Sequence, residues 1–242
     1  MSRVLVTGAT GFVASRALPL LVDRGFEVHA VSRARRAAEV PVAWHTADLL
    51  EPGAADALVS AVRPTHLLHF AWVTTPGEYW TTPENVEWVE ASLRLVRAFA
   101  AADGTRAVFA GSCAEYDWSY GICVEGTTPL GPRRLYGVCK NSLREIVDAF
   151  GPASGLSTAW GRVFFLYGPG EHPARLVPSV ARALLAGVEA RCSDGHQIRD
   201  FLHVDDVAAA FVRLLESDVR GPVNIASGTG TSVRDVVAQL AA

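Results

Sequence analysis

Charge of one sign is what this chain most lacks. Its 22 Lys and Arg stand against 25 Asp and Glu, a formal net charge of -3. That balance carries no electrostatic footprint for nucleic acid, so no nucleic-acid partner is expected. Arg33, Arg35 and Arg36 form the one tight basic cluster. Long hydrophobic runs are missing as well. No segment holds 18 uninterrupted apolar residues, so no membrane span is expected. A secretory leader is not expected either, because a polar turn breaks the first apolar run at once. Cysteine is scarce. Cys113, Cys123, Cys139 and Cys192 fit no zinc spacing and suggest no disulfide framework. They read as reduced thiols in a cytoplasmic protein. Internal repeats and low-complexity linkers are also absent.

What is present is apolar sequence in short runs. Half of the 242 residues are hydrophobic, enough for the core of one large α/β domain. The most informative stretch is Val-Leu-Val-Thr-Gly-Ala-Thr-Gly-Phe-Val-Ala at 4–14. Val4, Leu5 and Val6 suit a parallel strand covered on both faces. Gly8 permits a tight turn, Gly11 lets backbone approach a pyrophosphate, and Ala14 lets a helix pack close to the strand. The amides opening that helix then face an anion.

Further along, apolar runs alternate with helical patterns. Strands are predicted at 3–7, 27–32, 42–46, 66–71, 106–111, 156–164 and 222–226. Helices are predicted at 12–24, 54–62, 84–101, 136–150, 175–186, 204–217 and 231–240. Such alternation means an α/β fold with a doubly wound parallel sheet. Residues 1–165 form the dinucleotide-binding part. Residues 166–242, less regular at first, form mainly a small C-terminal substrate lobe interleaved with it. Helix 84–101 is apolar over most of its circumference, with rows Val86, Val89, Leu93, Val96 and Trp88, Leu95, Phe99. A helix buried on more than one side suggests a homodimer through helices 84–101 and 136–150, with burial under its own C-terminal lobe as the other option.

Tyr136 and Lys140 are four residues apart at the start of a predicted helix, which stacks them on one face. An ammonium beside a phenol favours the phenolate, so the pair can exchange protons near neutral pH. Ser112 lies 24 residues upstream of Tyr136, at the carboxyl end of the predicted strand 106–111. Trp72, Tyr79 and Trp80 follow the fourth strand and could line a sugar pocket or simply pack. Trp118 and Tyr120 fall in the loop between Ser112 and Tyr136 and are possible substrate contacts.

In this order the motifs are similar to those of extended short-chain dehydrogenase/reductases, in the nucleotide-sugar epimerase/dehydratase/reductase group. The likeness rests on Thr-Gly-Ala-Thr-Gly-Phe-Val-Ala, Ala-Asp-Leu at 47–49, His-Phe-Ala at 69–71, Ser112, Tyr136 with Lys140, Gly-Arg-Val-Phe-Phe-Leu-Tyr-Gly-Pro-Gly at 161–170, and Arg-Asp-Phe-Leu-His-Val-Asp-Asp-Val at 199–207. The resemblance implies a Rossmann fold and roles for particular residues. Tyr136 would be the general acid/base, Lys140 would hold the nicotinamide ribose, and Ser112 would bond the reacting oxygen. Gly8, Thr10, Gly11, Phe12 and Val13 would cradle the dinucleotide phosphates. Asp48 and Leu49 would flank adenine, with Phe70 and Ala71 beside the cofactor. Arg199 would meet the diphosphate of a nucleotide-sugar, unless it pairs internally with Asp205 or Asp206. Trp72, Cys113 and Phe165 would border the sugar.

The second strand ends in Ser32 and Arg33, with Arg35 nearby, where an NAD site usually has an acidic residue. A hydroxyl and a guanidinium suit a 2′-phosphate, so NADP(H) is expected ahead of NAD(H). Two departures bear on the reaction. Cys113 and Ala114 replace the acidic pair of the family's dehydratases, and Phe165 replaces an asparagine common in its 4-epimerases. The local signatures are most similar to bacterial reductases of dTDP-4-keto-6-deoxyhexoses. The expectation is therefore an NADPH-dependent 4-ketoreductase. A nucleotide-sugar 4-epimerase and a non-catalytic dinucleotide-binding protein are the alternatives.

Overall fold

A computed structural model describes residues 2–34 and 41–242. Arg35 and Arg36 of the basic cluster lie outside the described residues. The elements run β1 (Arg3–Thr7), α1 (Ala14–Asp23), β2 (Glu27–Ser32), β3 (Ala43–Thr46), α2 (Ala54–Val62), β4 (His66–His69), α3 (Glu84–Ala101), β5 (Arg106–Ser112), α4 (Leu135–Ser154) and β6 (Ser157–Val163). Then come β7 (Phe165–Tyr167), α5 (Leu176–Leu185), β8 (Ile198–His203), α6 (Val204–Glu216), β9 (Gly221–Ile225), β10 (Gly230–Ser232) and α7 (Val233–Ala241).

Seven strands form one sheet in the order β3-β2-β1-β4-β5-β6-β9, and every pairing in it is parallel. The order reverses between β1 and β4, which opens a crevice beyond the carboxyl ends of the strands. Two apolar layers flank the sheet. On one face Leu5, Leu67, Phe109 and Trp160 meet α2, α3 and α4 through Val59, Leu95 and Leu143. On the other Val4, Val6, Leu68 and Val108 meet α1 and α6 through Leu18 and Phe211. Adjacent strand residues such as Val4 and Leu5 thus feed opposite cores, which is why these strands read as unbroken apolar runs.

A second sheet of three strands, β10-β8-β7, stands beside the first. β8 runs parallel to β7 and antiparallel to β10. The sequence reading did not contain β7 as a separate strand, nor β8 or β10. The predicted strand 156–164 ends as β6 at Val163, and the chain leaves the large sheet to begin β7 at Phe165. α6 packs on α1 and β9 closes the large sheet beside β6, while β7, α5, β8, β10 and α7 make the lobe.

Candidate functional site

Gly8 sits at φ 64° directly after β1, a left-handed conformation that favours glycine. A Cβ there would lie 2.7 Å from the amide nitrogen of Ala71, so the turn also needs glycine to pass under the end of β4. β4 ends at His69, two residues before the predicted end at 71. Ala71 N–H instead donates to Thr7 Oγ1 at 3.3 Å. Gly11 is exposed, and a Cβ there would come within 3.0 Å of Gly8 carbonyl oxygen. Thr10 is exposed, while Phe12 and Val13 are half-buried at the start of α1. No side chain caps that helix start. The Ser15 and Arg16 amides donate to the Gly11 and Val13 carbonyls at 3.0 and 3.1 Å, so an anion would be met by the amides just before them. The glycine cradle and the uncapped α1 fit a dinucleotide diphosphate.

Beneath this turn runs a buried hydrogen-bonded chain. His69 Nδ1 lies 2.7 Å from Thr7 Oγ1, and His69 Nε2 lies 2.9 Å from Ser92 Oγ. Ser92 Oγ donates to the Trp88 carbonyl at 2.6 Å, so it accepts from Nε2–H. Nδ1 then accepts from Thr7. Burial, aided by the Lys140 charge, pulls the His69 pKa down to about 3, so the ring stays neutral as this chain requires.

β5 delivers Ser112 to the carboxyl edge of the sheet, and a single 3-10 turn, Cys113–Glu115, follows. Ser112 Oγ accepts from Ala114 N–H at 3.2 Å, which leaves its own proton available to donate. α4 starts one residue before Tyr136 and carries Lys140 one turn on. Burial pushes the Tyr136 phenol upward; the Ser112 bond opposes this, while Tyr79, Cys113 and Glu115 add to it. Burial also pulls Lys140 down to about 7, with Glu115 opposing the shift. Lys140 Nζ donates to the Ala110 carbonyl at 2.8 Å and stands 3.7 Å from the centre of the Trp72 ring. Lys140 is the sole lysine of the chain.

Aromatic rings surround Tyr136. Tyr79 meets it edge-on at 4.9 Å and Trp80 at 5.8 Å. The Tyr136 amide donates to the Trp80 carbonyl at 3.2 Å. Arg175, absent from the sequence reading, lies over the Tyr79 ring at 5.2 Å. Trp72 is 9 % exposed, stacks on Trp88, and donates its ring N–H to Asn85 at 2.8 Å. The structure thus sets Trp72 against the lysine, in the core and not on an open sugar wall.

The other residues predicted for the sugar side come together. Arg199 on β8 lies 5.3 Å from the Trp118 ring and 5.2 Å from the Phe165 ring. Trp118 Nε1 donates to the Cys113 carbonyl at 3.0 Å. The Cys113 thiol is pushed up to about 12, chiefly by burial, which keeps it protonated. Among the described residues Arg199 makes no ion pair with Asp205 or Asp206; Asp205 instead lies 3.6 Å from Arg16. His172 accepts from the Ala174 amide in its own loop, and His203 caps α6.

At the end of β2, Ser32 Oγ donates to the Ala34 carbonyl and Arg33 is exposed. Asp48 accepts from Leu50 N–H at 3.1 Å, and Leu49 is buried. Phe70 packs edge-on against Phe211 at 4.8 Å.

The sequence reading missed the support under Ser112. Glu115 is fully buried and pairs with Arg162 at 2.7 Å. Ser-x-x-Glu is the capping-box signature, and it was legible in Ser112-Cys-Ala-Glu115.

Known proteins share this architecture. The family model for the NAD dependent epimerase/dehydratase family matches residues 4–226. A UDP-glucose 4-epimerase of Corynebacterium glutamicum is 29% identical, over 97% of this chain and 78% of its own length. The crystal structure of a Thermus thermophilus UDP-glucose 4-epimerase in complex with NAD superposes with a TM-score of 0.86 at 27% identity, covering 99% of this chain and 82% of that one. MoeE5 in complex with UDP-glucose and NAD gives 0.85 at 31% identity, covering 99% and 81%. A parallel sheet in Rossmann order, a glycine turn at its switch point and this match over nearly the whole chain agree: the protein belongs to the NAD dependent epimerase/dehydratase family.

Proposed function

We propose that this chain interconverts nucleotide-activated sugars by reversible oxidation and reduction at a ring carbon, in the manner of a 4-epimerase. The reading is supported by Ser112 at the carboxyl end of β5 and by Tyr136 and Lys140 on α4, where Lys140 Nζ donates to Ala110 of β5. The relatives named as UDP-glucose 4-epimerases move the weight from net ketone reduction, favoured by the local motifs, to epimerisation. A bound nicotinamide dinucleotide supplies the hydride acceptor and donor. Gly8, Gly11 and the start of α1 would hold its diphosphate.

The chain's own residues do the rest. Tyr136 Oη takes the proton from the sugar hydroxyl as the carbonyl forms, and returns it when the hydroxyl is remade. Ser112 donates its free proton to the same oxygen and steadies the charge there. Lys140 has three donors; one is spent on Ala110, and two remain for a ribose and for the Tyr136 phenolate. Tyr79 and Trp80 keep water from the reacting atoms. Arg199, which pairs with no carboxylate among the described residues, meets the diphosphate of the substrate. The experiment is incubation with UDP-glucose and NAD⁺, followed by proton NMR of the anomeric signals. Appearance of the 4-epimer supports the reading; an unchanged spectrum defeats it.

A second reading rests on a specific observation. The end of β2 presents Ser32 and exposed Arg33 instead of a carboxylate, which suits NADP(H) and hence a 4-ketoreductase. Phe165 in the Arg199 cluster points the same way. On this reading Arg33→Ala weakens NADP⁺ binding about ten-fold while NAD⁺ binding holds, because one charge-assisted phosphate contact is lost. Calorimetric titration with both dinucleotides checks it. Equal losses for the two would remove the reading's support.

We also propose a homodimer through α3 and α4. α3 packs on α4, and Val86, Val138 and Ile146 remain exposed on these two helices. Sedimentation equilibrium should give twice the chain mass, and Ile146→Glu should lower it to the monomer.

A further inference from the structure

Lys140 is held from two directions. Its Nζ donates to the Ala110 carbonyl at 2.8 Å and stands 3.7 Å from the centre of the Trp72 ring. That is well inside the roughly 6 Å over which an aromatic face attracts a cation. Lys140 is 4 % exposed and Trp72 9 %, so water screens little of the attraction. The indole is itself fixed in place. Its Nε1–H donates to Asn85 Oδ1 at 2.8 Å, and it stacks on Trp88 with ring centres 6.3 Å apart. Trp88 in turn donates its ring N–H to Glu84 at 3.0 Å. Asn85 is 0 % exposed, and both ends of its amide are engaged. Its Nδ2 donates to the Tyr79 carbonyl at 2.8 Å and to the Thr82 carbonyl at 2.9 Å. One side chain at the start of α3 therefore orients the indole against Lys140 and ties down the segment whose Tyr79 and Trp80 rings pack on Tyr136.

We propose that Trp72 is a positioning residue, whose indole face, oriented by Asn85, holds the Lys140 ammonium where it serves the dinucleotide. The inference rests on the reading of Lys140 as the partner of the ribose but does not depend on the sugar chosen.

The Ala110 bond alone does not place the ammonium. Hydrogen bonds approach a carbonyl oxygen over a broad range of directions, so one such bond leaves Nζ free to swing about it. The Trp72 face removes that freedom by attracting the whole charge from a second direction. A space-filling indole and a positioning one then differ in a measurable way. Space filling supports the fold as a whole, so its loss is the same whether or not an ammonium is present. Positioning acts through the ammonium, so its loss disappears when the ammonium is removed. Residues that act through one another are non-additive in this sense, and independent ones add.

The test is a double-mutant cycle read by calorimetric titration with whichever of NAD⁺ and NADP⁺ binds more tightly, with no sugar present. Trp72→Leu should weaken dinucleotide binding about ten-fold where Lys140 is intact. Combined with Lys140→Met, the same substitution should weaken it less than about two-fold. Equal losses in the two backgrounds, or no loss in either, overturn the proposal. Circular dichroism establishes that each variant is folded. Should Trp72→Leu not fold, Trp72→Phe keeps a smaller aromatic face and gives up the bond to Asn85. It should weaken binding about three-fold, and again only where Lys140 is intact. A loss shared by both backgrounds overturns the proposal here too. Lys140→Met that binds as tightly as the wild type would instead defeat the ribose reading, and the proposal with it. No turnover enters the cycle, so its failure is distinct from failure of the epimerase reading.

Discussion

Replacing Tyr136 by phenylalanine should lower turnover about a hundred- to ten-thousand-fold, the usual worth of a positioned acid/base. Dinucleotide binding should persist, because the glycine cradle and the start of α1 are remote from that hydroxyl in the chain and unaltered. The ring itself should keep its place. Its ring packs edge-on against Tyr79 and Trp80 and its amide donates to the Trp80 carbonyl, and these contacts do not use the hydroxyl. A steady-state assay beside a dinucleotide titration separates the two effects. Equal loss of binding and turnover would mean that the hydroxyl shapes the pocket and carries no proton.

Arg162→Met should cost about 3–5 kcal/mol of stability, because it strands a carboxylate that water does not reach. The side chains of the pair are 3% and 0% exposed. Ser112 N–H and Trp160 Nε1–H remain as donors to Glu115, but neither brings a positive charge. Removing both partners, as Glu115→Gln with Arg162→Met, should recover much of the loss. The desolvation of two ions then no longer opposes their attraction. Urea unfolding of the wild type, single and double variants measures this. A single variant as stable as the wild type would contradict this account of the buried pair.

Much of the large sheet was legible because its signals are local. The apolar run Val4-Leu5-Val6, the glycine turn and the amphipathic helices each announce themselves within a dozen residues. β8 and β10 were not legible. Ile198–His203 holds Arg199, Asp200 and His203 among its apolar residues, and β10 has three residues, Gly230–Ser232. Neither has an apolar pattern of its own, so only tertiary pairing makes them strands. Asp200 illustrates this by accepting the Ser227 and Gly228 amides at 2.7 Å each, a bond between distant segments.

The candidate site was legible to the same degree. Ser112, Tyr136 and Lys140 have a spacing that chemistry explains; Ser112 ends β5, and Lys140 on α4 donates to Ala110 of the same strand. Trp72 could be read from the chain only as an aromatic after a strand. Whether it faces sugar or lysine depends on Asn85, which reaches the indole from the start of α3. The Glu115 and Arg162 pair joins residues 47 positions apart, beyond the reach of any local pattern. Half of it, the Ser112-to-Glu115 cap, was nevertheless readable.

The most direct test of the proposed chemistry uses UDP-glucose carrying deuterium at C4, incubated with the protein and NAD⁺ in ordinary water. If hydride leaves and returns at one ring carbon while Tyr136 moves only the hydroxyl proton, the 4-epimer appears with its deuterium retained at C4. Deuterium lost to water, or no epimer at all, would contradict that chemistry for this chain.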